Sequence, residues 1–364
     1  MNPKIQSISI SQSSPLTVLD IGFVSPLATG WKETCAAIKA GYDAFVYPHN
    51  SAYSSIYPIA RVPFDETIRG FTRLAHLLRL AQENLDKKYG SMPVLLAMPE
   101  TSRGGLISET ATHDALFDAI ATLPAFHGKF LRDQITCFYQ GRTSFAHQLH
   151  KAHEILLTGD YEQVMIMSVD SLLFPQTLNA MLADHWDCDP ILNKQRLLTN
   201  DNGDEHTDGF IPAEAAGIVV VGLAENHSPA IQIDGIGFGD EPAPLLSKNI
   251  CKGDGLAKAI RTACSQAGHS LKDYPVRIAS VSGEQYFFQE ATLAQERNIS
   301  TKTAHQPLWH PASGIGETGA AVGISMLAMA IDSFQQGYAP GDKAICHLSS
   351  DNSDRAAFTL TYKH

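Results

Sequence analysis

Thr136-Cys137-Phe138-Tyr139-Gln140-Gly141-Arg142-Thr143-Ser144 decides how this chain is read. The first five residues have strand character. Gly141 marks a tight turn, and Ser144 to Leu157 follows with helical spacing. Gly159 ends that helix, and Val164-Met165-Ile166-Met167-Ser168 is a buried-type strand. An α/β enzyme holds a catalytic residue at a helix N-terminus with a strand, turn, helix, glycine and strand of this kind. Here the residue at the turn is Arg142, which stays protonated at physiological pH and cannot act as a nucleophile. Its charge also sits against the positive end of the helix, so Arg142 is expected either to turn outward, or to pair with a carboxylate or bind an anion.

The alternation continues on both sides. Leu16–Phe23 reads as a strand and Gly30–Gly41 as a helix. Phe71–Leu85 reads as an amphipathic helix with Leu74, Leu77, Leu78 and Leu80 on its apolar stripe. Val94–Met98 and Ile218–Val221 read as strands. A rough duplication follows. Thr318–Phe334, Gly337 and Ala344–Leu348 repeat the plan of Ser144–Leu157, Gly159 and Val164–Ser168. Both strands end in a Ser/Asp cluster, Ser168-Val169-Asp170 and Ser349-Ser350-Asp351. Ile231–Ile236 followed by Gly255–Gly268 repeats the opening strand and helix. Such a chain is expected to be α/β, with two similar halves of mixed β-sheet covered by helices.

The 364 residues suffice for two units of this kind, and 44% are hydrophobic. A net charge of −11 disfavours non-specific binding to nucleic acid or anionic membrane, and neither is expected as a partner. Met1 to Pro15 is polar with no apolar core, and Ala213–Leu223 and Ala320–Ile331 are too short to span a bilayer. The six cysteines lack CxxC spacing, which fits reduced thiols and a cytoplasmic location.

Several segments together resemble the ketosynthase branch of the thiolase-like superfamily. Gly22-Phe23-Val24-Ser25-Pro26-Leu27 is similar to its opening strand and turn, and Asp208-Gly209-Phe210-Ile211-Pro212-Ala213-Glu214-Ala215-Ala216-Gly217 to its DGFV-x-GEGAG hairpin. Gly255–Gly268 resembles the helix opening the second half, and Gly316-Glu317-Thr318-Gly319-Ala320-Ala321 the GH-x-x-GAAG segment. The likeness runs from about residue 16 to the C-terminus. It implies the thiolase-like fold, an αβαβα layering, and division into 1–228 and 229–364. It also implies a dimer through the first-half sheet, either with itself or with a related subunit.

The family's chemistry uses a cysteine at a helix N-terminus and two histidines. The resemblance places the cysteine position at Arg142, the first histidine at or near Ser282 and the second near Gly316. Glu290 corresponds to the following carboxylate. Ser349-Ser350-Asp351-Asn352-Ser353-Asp354 replaces the glycine-rich oxyanion loop. All depart from the pattern together, which makes the chain resemble a pseudo-ketosynthase with its condensing activity lost. No catalytic residue, metal or cofactor is assigned. The remnant pocket is expected to draw on Arg142, Ser144, Glu284, Tyr286, His310, Glu317, Asp351 and Asn352, and Glu214 is a further candidate partner for Arg142.

Other readings stay open. Cys137 is a displaced nucleophile or an inert strand thiol. Ser144 with His147 or His150 is a Ser–His arrangement or a helix-start hydroxyl beside histidines flanking the buried stripe. His185-Trp186-Asp187-Cys188-Asp189 carries metal-ligand types without a standard spacing. His305 and His310 either reach the pocket or belong to a proline-punctuated loop over Trp309. The segments 282–286, 310–317 and 349–351 also resemble a bacterial subgroup associated with type VI secretion gene clusters, which implies an accessory or adaptor role with a secretion effector. The alternatives are a divergent acyltransferase working with an acyl carrier protein, and a partner resembling chain-length factors.

Overall fold

The computed structural model describes residues 14–47, 57–100, 103, 109–121, 135–182, 196–198, 207–224, 230–299 and 305–364. In chain order the first part carries β1 (Leu16–Val24), α1 (Trp31–Lys39), β2 (Phe45–Val46), β3 (Ile59–Ala60), α2 (Gly70–Glu83) and β4 (Val94–Ala97). Next come α3 (Glu109–Ala121), β5 (Ile135–Phe138), α4 (Ser144–Leu157), β6 (Val164–Ser171), α5 (Pro175–Leu182) and β7 (Glu214–Leu223). The second part carries β8 (Ala230–Asp240), α6 (Asp254–Gln266), β9 (Val276–Ala279), α7 (Gln285–Asn298) and β10 (Leu308–Trp309). It closes with α8 (Ala312–Ile315), α9 (Val322–Gln335), β11 (Lys343–Ser349) and β12 (Asp354–Lys363).

The strand order is β10-β9-β11-β12-β8-β1-β7-β6-β4-β5, a palindrome about the β8–β1 junction. On each side three strands run parallel at the edge and a fourth turns antiparallel toward the first strand of that half. β1 and β8 meet over only two residue pairs, Leu16↔Ile233 and Thr17↔Gln232. This is the mixed, two-halved α/β architecture expected from the sequence.

Layering follows from which helix faces are apolar. α9 is buried along Val322–Phe334, and a helix that is apolar all round must lie inside. It contacts strands of both halves, as does α4, and the two touch each other. α2 covers the outer face of β1, β6 and β7 with α3 packed on it, while α6 covers β8, β11 and β12 with α7 packed on it. The result is αβαβα. Phe145 of α4 meets Phe358 of β12 edge-on at 5.5 Å, joining the two halves through the central layer. The buried apolar cluster on this layer includes Phe23, Leu149, Ile324, Leu327 and Leu348.

Gly141 and Gly159, and their counterparts Gly319 and Gly337, have positive φ and the same 18-residue interval. Each pair brackets a three-residue 3-10 turn and a 14-residue helix. The expected boundary at 228/229, the segment 185–189 and most of the loop 193–208 lie outside the described residues.

Candidate functional site

Gly141 opens the first 3-10 turn at φ 57°, and a Cβ there would stand 2.5 Å from Glu100 Oε2. Both facts require glycine. The turn Gly141–Thr143 then delivers Arg142 to the start of α4, beside β11, β12 and the second 3-10 turn. Thr143 Oγ1 lies 2.9 Å from the Gln140 carbonyl and 2.6 Å from Asp354 Oδ2, which fixes the turn. Gly319 does the same in the second half, where a Cβ would meet Asp170 Oδ2 at 2.0 Å.

Arg142 is buried and does not turn outward. Its Nη1 donates to Glu317 Oε2 at 3.1 Å, and its Nη2 donates to Asp351 Oδ1. The guanidinium carbon sits 4.2 Å from the centre of the Phe287 ring, a cation–π contact. Two carboxylates and an aromatic face therefore offset the repulsion expected from the helix start.

Asp351 is shared. Arg196 donates to its Oδ2 at 2.5 Å and its Oδ1 at 3.1 Å, and grips Glu284 through two bonds of 3.0 and 2.8 Å. Arg103 holds Asp170 through bonds of 3.0 and 2.6 Å and lies 4.0 Å from Glu100. The carboxylates also satisfy the second helix start: the Gly319 N–H donates to Glu317 and the Ala320 N–H to Asp170. Three guanidiniums thus face five carboxyl groups, and the space left among them is about 20 Å3, room for roughly one water.

The excess of acid shows in the ionisation. Burial would raise the Asp351 carboxyl, but Arg196 and Arg142 hold it well below the usual carboxylate range. Among the described residues the ion contact of Glu100 is the long one to Arg103, and burial followed by the Asp351 charge pushes it up to about 7. Desolvation opposes the charge on Arg142, and Glu317 and Asp351 restore it, leaving a fixed cation.

Of the residues expected to line the pocket, Arg142, Glu317, Asp351 and Glu284 come together, Glu284 through Arg196. Tyr286 does not join them. Its OH donates to the Ala243 carbonyl at 2.7 Å and accepts from Arg355 at 3.1 Å, and the neighbouring Phe287 covers Arg142 instead. His310 lies in a separate cavity with Trp309 and Tyr338. Asn352 is used in its own turn, its Oδ1 accepting from the Asp354 N–H at 2.8 Å. Ser144 Oγ and Ser282 Oγ are buried without a partner among the described residues. Gly316 ends α8 at φ 75°. Glu214 pairs with Arg73, and Glu290 with Arg355 and Ser349.

No acid–base–nucleophile relay is assembled among the described residues. His147 bonds Asp354 at 2.7 Å and stacks on Phe238, leaving Ser144 without a base. Cys137 is half-buried in β5. The metal-ligating side chains that gather are Glu241, Cys251 and Glu290, with donor atoms within 4.8 Å of one another. Glu290 already accepts from Arg355 at 2.6 Å, and Glu241 from the Gly255 N–H. A guanidinium beside the trio opposes a cation, so the donor set does not fit a metal.

Sequence reading missed Arg196, Arg103 and Glu100. The paired Ser/Asp strand ends were a signal for Asp170 and Asp351, since both enter the cluster. Arg196 carried none, being one of two cations, with Lys194, in a polar loop.

No family model matches the sequence, and no curated protein matches it. Solved structures do. A type II polyketide synthase acyl-carrier protein in complex with its ketosynthase bound to the hexaketide (AntDE:AntF) matches with a TM-score of 0.71 at 13% identity, over 96% of this chain and 100% of that one. A ketosynthase in complex with its chain length factor from Xenorhabdus doucetiae matches with a TM-score of 0.67 at 11% identity, over 97% and 99%. A β-ketoacyl synthase from Burkholderia phymatum STM815 matches with a TM-score of 0.67 at 14% identity, over 96% and 100%. At such identities the likeness fixes the fold alone, and that fold is the thiolase-like fold of ketosynthases and chain length factors.

Proposed function

We propose that this chain is a non-catalytic thiolase-fold subunit, a pseudo-ketosynthase that acts by associating with other proteins. One observation carries the reading: the space at the start of α4 is occupied by Arg142 and Arg196 clamped on Asp351, with about 20 Å3 remaining. A covalent acyl intermediate needs an activated nucleophile and room for the acyl group, and the described residues around that space offer neither. Among the described residues β5 is the outermost strand of the first-half sheet, the edge at which a second subunit of the same kind would sit. A homodimer or a pairing with a related ketosynthase-like subunit both fit. The likeness to a ketosynthase in complex with its chain length factor supports the second. An acyl carrier protein is the further partner suggested by the neighbours. The resemblance of residues 310–317 and 349–351 to the secretion-associated subgroup supports an adaptor role toward an effector, with the two halves dividing near 228/229. A divergent acyltransferase is the rival.

The test is intact-mass measurement after incubation with acyl-thioesters. The chain is expected to stay unmodified. A stable acyl adduct that disappears in Cys137→Ala or Ser144→Ala would overturn the non-catalytic reading. Affinity purification from the native host separates the partners: a co-purifying ketosynthase that keeps its cysteine supports the chain-length-factor role, and a secretion effector supports the adaptor role.

A further inference from the structure

A second cavity lies away from the arginine cluster, between α1, β10 and α9, with a volume of about 330 Å3. This is the lower end of the range for small-molecule sites. A dry cavity of about 150 Å3 takes one benzene-sized ring, so this one accommodates a two-ring molecule or a ring with a short chain. It is too small for a long acyl chain or a coenzyme.

The lining is built for a flat molecule. Trp309 and Tyr338 stand 5.9 Å apart, tilted by 43°, and Ile38 and Met329 close the apolar wall. The Tyr338 ring is fixed in place because its OH donates to Asp332 Oδ2 at 2.8 Å. Polar groups break the apolar surface: the Cys35 thiol, Ser313, whose Oγ donates to the His310 carbonyl at 2.9 Å, and the two that concern a ligand, His310 and Lys39. His310 Nδ1 is buried with no hydrogen-bond partner among the described residues, a cost they do not recover by themselves. Its ring is held edge-on against Phe288 at 5.7 Å. Lys39 is exposed and places its Nζ 3.9 Å from the centre of the Tyr338 ring, with no carboxylate partner among the described residues. Burial lowers the His310 imidazolium, so the ring is neutral near pH 7 and offers one hydrogen bond to an uncharged or anionic group.

We infer that this cavity is a binding site for a small planar aromatic carboxylate, its ring held by Trp309 and Tyr338, its acid group facing Lys39 and a polar atom meeting His310. The site stands independently of the reading of the Arg142 cluster. Four different elements of the chain build it: α1 gives Lys39, the β10 end Trp309 and His310, α9 Met329, and the turn after α9 Tyr338.

The probe is indole-3-acetate, with tryptamine as the same ring bearing the opposite charge. Saturation-transfer NMR and calorimetry on the full chain read both. Indole-3-acetate is expected to bind at or below the millimolar range and more tightly than tryptamine. Lys39→Met is expected to weaken it about two- to fivefold, the scale of one exposed ion pair. Lys39→Glu is expected to reverse the preference toward tryptamine, and His310→Phe to weaken indole-3-acetate. Lys39 is exposed, so both of its variants should keep the wild-type melting temperature. The inference is overturned if wild type binds neither ring, or if Lys39→Glu leaves the preference unchanged.

Discussion

Replacing Glu100 by Gln tests whether the buried cluster carries more acid than its arginines can hold. Glu100 has its nearest cation 4.0 Å away at Arg103, whose stronger bonds go to Asp170. It also stands against Gly141 and feels the negative charge of Asp351. Burial and that charge raise its carboxyl from 4.5 to about 7. A carboxyl raised in the folded state binds a proton that the unfolded chain has released, so stability is full below about pH 4.5 and falls as pH rises through about 7. At about 1.4 kcal/mol per unit the loss is about 3 kcal/mol. The Glu100 side chain is 16% exposed, and solvent there brings this nearer about 2 kcal/mol. Glu100→Gln removes the ionisation while keeping the shape. Urea unfolding of both proteins at about pH 5 and pH 8 gives the difference, and other titrating groups cancel between them. The variant should match wild type at the lower pH and exceed it by about 2 kcal/mol at the higher. Equal pH slopes would refute the reasoning. So would a variant less stable than wild type at pH 8, which would mean that the Glu100 charge holds Arg103 and Arg142 in place.

Arg142→Met should destabilise the chain by about 3 kcal/mol, because buried Glu317 keeps only the Gly319 N–H while Asp351 keeps Arg196. An unchanged denaturation midpoint would show that the pair contributes nothing. Gly319→Ala should cost more than Gly337→Ala in thermal melts, since a Cβ at 319 meets Asp170 at 2.0 Å and one at 337 meets nothing within 4 Å. The second then carries only the left-handed backbone cost of about 1 kcal/mol. Arg277 is buried with Nε and Nη1 unpartnered among the described residues, and desolvation lowers it to about 10. Arg277→Met should therefore raise stability by about 1–3 kcal/mol, and a lower melting temperature would contradict this.

The repeated plan was legible because it rests on local chemistry. Gly159 and Gly337 end two helices of equal length at positive φ, and the strands that follow are near-continuous apolar runs. Periodicity and turn residues report such features wherever they occur. Tyr286 shows where this stops. Consecutive helical residues point about 100° apart, so one step of helix phase turned Tyr286 toward Arg355 and set Phe287 against Arg142. His310 shows it again, because the turn after β10 carries it to the aromatic cavity and not to the Arg142 cluster.

The sequence by itself determined two α/β halves, a turn that places residue 142 at a helix start, and a side chain there that can only be a cation. Those follow from backbone preferences and from a guanidinium that does not lose its proton. Only the tertiary structure decided what that cation meets. Glu317 and Asp351 lie 175 and 209 residues away, and Arg196 reaches Asp351 from another loop. A buried charge must find its counter-charge, but any acidic side chain satisfies that rule, and the choice among them is made by which strand ends the fold brings together.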